Sequence, residues 1–193
     1  MKDQKLVLTK KLKDMKQQIF NDLLLKTAFS CMACDGDIDK REVILIKQLS
    51  NDTKVFGEID INEKLDELLL LINKDGNQFL KDYFSELTST ELTEKEELKI
   101  IEVAIDTIKA DDKIEYSEIK FFKVIRSKLA IDDAIILEKH QDFEEYLEQD
   151  IISDSYLARL QDDFFDTHTL PKFESINLLD SDIIDEIKKQ DSV

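Results

Sequence analysis

Nineteen residues from Ala28, A-F-S-C-M-A-C-D-G-D-I-D-K-R-E-V-I-L-I, return without a gap 76 positions later, from Ala104, as A-I-D-T-I-K-A-D-D-K-I-E-Y-S-E-I-K-F-F. In this register Asp35 aligns with Asp111, Ile38 with Ile114, Asp39 with Glu115 and Glu42 with Glu118. Each copy reads as the end of one helix, an acidic turn holding a single isoleucine, and the start of a second helix. A helix–loop–helix of this size carries an apolar stripe that it cannot bury alone. The doubling therefore predicts two such pairs packed face to face about a pseudo-two-fold axis, with Ile38 and Ile114 meeting where the loops pair.

The rest of the chain supplies more helices. Leu8, Leu12, Met15, Ile19 and Leu23 recur at three- and four-residue steps, an amphipathic pattern that continues to about Cys34. Asp39 with Glu42, Asp60 with Glu63 and Thr93 with Glu96 have capping-box spacing. They open helices lined by Val43 to Leu49, Leu65 to Ile72 and Leu98 to Ile108. A short helix carries Phe79 to Phe84, and another carries Ile119 to Leu129. Asp132 or Asp133 caps a predicted helix running through Ile136, His140, Phe143 and Leu147. Ser153 to about Phe165 reads as one helix and Asp180 to Lys189 as another, on either side of Pro171. No segment alternates as a strand does. The chain holds only 3 Gly and 1 Pro, fewer than hairpins and phosphate-cradling loops normally use. The expected class is all-α.

The doubled pattern, an acidic D-G-x-I-D/E-x-x-E turn between two helices repeated about 75 residues apart, resembles the TerB tellurite-resistance family, whose domains also occur at the N-termini of some DnaJ-type co-chaperones. The resemblance covers about residues 20–135. It implies a TerB-like helical bundle, a connection with tellurite or general chemical stress, and functional weight on Asp35, Asp37, Asp39 and Glu42, then on Asp111, Asp112, Glu115 and Glu118. The second copy departs from the pattern: Asp112 replaces Gly36, and Lys113 replaces Asp37.

Charge narrows the function. The chain is −17 overall, a field that repels nucleic acids, anionic membranes and oxyanions while attracting cations and basic protein surfaces. It is unevenly spread: residues 1–20 hold six Lys and two Asp, net +4, whereas residues 139–193 are net −10. The basic segment has its own apolar stripe, which is expected to pack while its lysines meet acidic surface elsewhere on the protein. No apolar run approaches the ~20 residues of a membrane span, and no secretory leader is apparent, so a cytoplasmic location with reduced thiols is expected.

Asp35, Asp37 and Asp39 alternate, with Glu42 one turn on, an oxygen-rich set that a weakly held Ca²⁺ or Mg²⁺ would accept. Against an EF-hand counted from Asp35, however, the sixth position is Lys40 and the twelfth is Ile46, so the glycine and the bidentate glutamate are missing. The plainer reading makes Asp39 and Glu42 a helix cap. Cys31-Met32-Ala33-Cys34 is a C-x-x-C outside any strand–helix context, and Thr107 and Ala110 stand at the equivalent positions. Small residues at a close helix contact account for it. The two histidines, His140 and His168, lie 28 residues apart with no neighbouring Cys, so a zinc site would need carboxylates to complete it and is not expected.

These readings give a TerB-like domain over residues 1–138, with motifs at 28–46 and 104–122, followed by an acidic helical extension over 139–193. That extension is expected to dock through Phe143, Leu147, Tyr156, Leu160 and Phe164, or to join two copies of the chain. The expected function is a non-enzymatic, stress-associated adaptor for a protein with a basic surface, with no catalytic residues and no obligatory cofactor. The alternatives are a divalent-cation sensor or buffer, and a metal-dependent hydrolase with carboxylate ligands.

Overall fold

A computed structural model describes residues 2–147, apart from 35–37, 39, 111–113 and 115. Its elements are helical throughout: α1 (Lys2–Ala33), α2 (Lys40–Gln48) running into a π-turn (Leu49–Thr53), α3 (Ile61–Lys74), α4 (Gly76–Ser89), α5 (Glu94–Ile108), α6 (Tyr116–Ser127), α7 (Asp133–Leu137), a 3₁₀ turn (Gln141–Phe143) and α8 (Glu144–Leu147). Among the described residues there is no strand, so the fold class is all-α.

The core is organised around the second half of α1. Leu23, Leu24, Leu25, Ala28, Phe29, Cys31, Met32 and Ala33 are all buried. Burial on every side of a helix is the mark of a central helix rather than a surface one. The most extensive packing on α1 comes from α5, followed by α4; α3 and α6 also touch it, and α2 touches α5. Ile100, Ile101, Ala104, Ile105 and Ile108 of α5 join the same cluster. Polar groups in this interior are tied locally. The Tyr83 hydroxyl donates to Thr27 Oγ1 at 3.0 Å, and Thr27 donates to the Leu23 carbonyl at 2.9 Å.

Caps set most of the boundaries. The Asp60 carboxylate accepts from the N–H groups of Asn62 and Glu63 at 3.1 and 3.2 Å, satisfying orphan donors at the start of α3. Asp75 closes α3 through its own N–H to Leu71 and opens α4 by accepting from the Gln78 N–H. Thr93 and Glu96 form the reciprocal capping box that their spacing predicts. Between α2 and α3 the chain turns through left-handed Lys54 (φ 50°) and Gly57 (φ 73°), with Phe56 fully buried as the anchor of the loop.

Two expectations change. The helix predicted through Ile136 and Leu147 is broken: α7 ends at Leu137, and His140 takes up φ −126°, ψ 63° before the 3₁₀ turn. The break lets residues 139–147 fold back on α5 and α6. Phe143 is buried, with its ring edge-on to Phe122 at 5.3 Å between centroids. Lys139 meets Glu102 at 2.5 Å, and Lys109 pairs with Asp142. The second change concerns the first half of α1, whose stripe was expected to pack. It does not: Val7, Leu8, Leu12, Met15 and Ile19 are 67, 63, 51, 53 and 42% exposed. The predicted segments 153–165 and 180–189, and the contacts expected of Tyr156, Leu160 and Phe164, lie outside the described residues.

Candidate functional site

Two features compete for the role of functional site: the acidic loops of the repeat and the exposed arm of α1.

Of the eight acidic residues weighted by sequence, Asp35, Asp37, Asp39, Asp111, Asp112 and Glu115 lie outside the described residues. Glu42 and Glu118 are described, and they share an environment. Each sits in the first turn of its helix, α2 or α6, where the helix dipole favours a negative charge. Each is buried, to 6% and 5% exposure. Neither is without a partner, as a carboxylate removed from water requires. Both act on one thiol: burial pushes the Cys31 pKa well up, and the charges of Glu118 and then Glu42 push it further. The two glutamates that the 76-residue register equates thus flank the end of the central helix together. Cys31 and Cys34 are both buried free thiols. A buried thiol with a raised pKa is a poor nucleophile. Among the described residues, no three His, Cys, Asp or Glu side chains are grouped as a metal site.

A groove of about 390 Å³ lies between α1, α3 and α4, lined by Lys26, Leu71, Gln78, Phe79, Asp82, Tyr83 and Glu86 among others. Four of its polar groups are paired: Lys26 holds Glu86 at 2.5 Å, and Gln78 donates to Asp82 at 2.8 Å. Burial raises the Tyr83 pKa well above that of a free phenol. No histidine or thiol lines this groove.

The arm is a different kind of surface. Residues 2–19 extend the central helix by ~27 Å at 1.5 Å per residue. Leu8, Leu12, Met15 and Ile19 stand at steps of four, three and four, so they share one face. At about 100° per residue, Lys11 falls on one edge of that face and Lys16 on the other. Lys10, Lys11, Lys13 and Lys16 are all exposed. Among the described residues, Lys16 makes a long, solvent-exposed ion pair with Glu91, at 3.9 Å, and such pairs contribute little. Sequence periodicity found this stripe but wrongly assigned it to the interior.

No family model matches this chain, nor does any curated protein or solved structure. No helix among the described residues is long and apolar enough to cross a membrane. The arm is too rich in lysine to be one.

Proposed function

We propose that this chain is a non-enzymatic cytoplasmic adaptor, built from two copies of one helix–loop–helix in the manner of TerB, and that the stripe on its arm is where it meets protein partners. The observation that carries this reading is the exposure of four large apolar side chains, Leu8, Leu12, Met15 and Ile19, along one face of a helix whose other half is largely buried. An apolar helix face of that length is a common docking element. Its lysine edges select a partner helix or groove that is apolar with acidic borders.

The repeat reading draws support from matched positions. Ala28 and Ala104 are fully buried, Glu42 and Glu118 are buried charges at helix starts, and Ile38 and Ile114 both lie partly buried against the core. The cross-contacts also match: α2 touches α5, and α1 touches α6. In this reading the glutamates brace the two halves, and the link with chemical stress rests on the TerB resemblance alone.

The test compares baits in the native cytoplasm: the full chain, and the full chain with Leu12→Glu and Met15→Glu. The adaptor reading expects at least one protein that the first retains and the second loses, and that binds again when purified. Identical retained sets would reject the arm as the docking surface.

A further inference from the structure

Outside the arm, the described residues leave two aliphatic side chains largely exposed, Leu70 and Leu71, at 71 and 51%. They are neighbours on α3, and Leu71 lines the groove of about 390 Å³ between α1, α3 and α4. We propose that this groove is a second docking surface, and that its occupant is a basic amphipathic helix of another protein. The proposal goes beyond the reading of the arm and does not depend on it.

The apolar part of the groove is already formed. Phe79 and Tyr83 line it together with Leu71, and neither ring is loose. Phe79 stands edge-on to Phe29 at 5.7 Å between centroids, and the Tyr83 hydroxyl is tied to Thr27. A partner's leucines would meet fixed apolar walls, so little of the binding energy would go into ordering them.

Charge selects the occupant. Asp75, Asp82 and Glu86 line the groove against Lys26 and Lys74. Lys26 is spent on Glu86 at 2.5 Å. Asp75 and Asp82 accept from the backbone N–H and the side-chain amide of Gln78, which are neutral donors and leave both charges in place. Gln78, Asp82 and Glu86 follow one another at four-residue steps and so share a face of α4. With the Asp75 cap they make an acidic rail of ~16 Å at 1.5 Å per residue. The whole α3–α4 hairpin with its caps, residues 60–89, holds seven Asp and Glu against three Lys, net −4. A helix with leucines on one face and lysines along its edge matches the walls and the rail together. Nucleic acids and anionic membranes would meet the carboxylates and be repelled. The chain's own arm is also basic and apolar-striped, so a second copy is the competing occupant.

The test is binding of a synthetic helical peptide of leucine and lysine, its leucines on one face, to the full chain, followed by fluorescence anisotropy. Wild type should bind it at least about 10-fold more tightly than the same peptide with glutamate in place of lysine. Leu71→Ser and Asp82→Lys should each weaken binding by about 10-fold. Both positions are exposed, so their urea midpoints should stay near wild type. Glu138→Lys makes the same change of charge at an exposed position outside the groove. It should weaken binding by no more than about 2-fold at physiological salt, where screening acts within about 8 Å. Equal binding of the two peptides would overturn the proposal. So would unchanged affinity in Leu71→Ser or Asp82→Lys, or a loss in Glu138→Lys as large as that in Asp82→Lys. Sedimentation gives a further check: a wild-type dimer that Leu71→Ser and Leu12→Glu/Met15→Glu both dissociate would make a second copy's arm the occupant and overturn it too. Failure here leaves the bait comparison of the arm standing, and identical bait sets leave the peptide result standing.

Discussion

Gly57 shows how a single residue can fix a joint of this fold. Its φ of 73° lies in the left-handed region, and a Cβ built there would fall 2.2 Å from Asn21 Nδ2. Asn21 is itself nearly buried and accepts from Gln17 Nε2 at 2.9 Å, so moving the amide would break that bond. Gly57→Ala should therefore cost about 1–3 kcal/mol, combining backbone strain with the clash, read as a lower urea midpoint at unchanged slope. A glycine in a polar turn is visible in sequence, but the packing of Asn21 against it is not, because the two lie 36 residues apart. The same limit applies at the site. Glu42 and Glu118 could be paired from the repeat register alone, yet their burial beside Cys31 emerges only in three dimensions. Local patterns fared better: the box at Thr93 and Glu96 needs only its own four residues, and it formed as expected.

At the scale of elements, α1 is two helices in one. Periodicity identified its apolar face throughout, but periodicity says which side of a helix is apolar and not what lies opposite. Beyond Phe20 there are neighbours on all sides; before it the stripe is left largely exposed. The break at His140 was missed for a related reason. Ile136, Phe143 and Leu147 fit one helical face, but burying Phe143 on Phe122 and pairing Asp142 with Lys109 requires the chain to turn. The halves of α1 should respond oppositely to substitution. Leu12→Glu with Met15→Glu should leave the urea midpoint within about 0.5 kcal/mol of wild type, as surface changes do. Ala28→Leu, at a fully buried position, should cost about 1–3 kcal/mol by overpacking. Comparable losses in both halves would mean that the arm is part of the core.

The whole molecule pairs a tightly packed helical bundle with an exposed, basic, apolar-striped arm on an otherwise acidic chain. The rival account places function in the acidic loop, at Asp35, Asp37, Asp39 and Glu42, as a cation site. One measurement separates the two: calorimetric affinity of the full chain for a purified partner, with and without Ca²⁺, for wild type, Leu12→Glu/Met15→Glu and Asp37→Asn. Burying each large apolar side chain is worth about 1.5–3 kcal/mol. The arm variant should therefore weaken binding by about 100-fold or more, while Asp37→Asn and Ca²⁺ leave it unchanged. An affinity that ignores the arm variant but collapses in Asp37→Asn, or that appears only with Ca²⁺, would contradict the account and move the function to the loop.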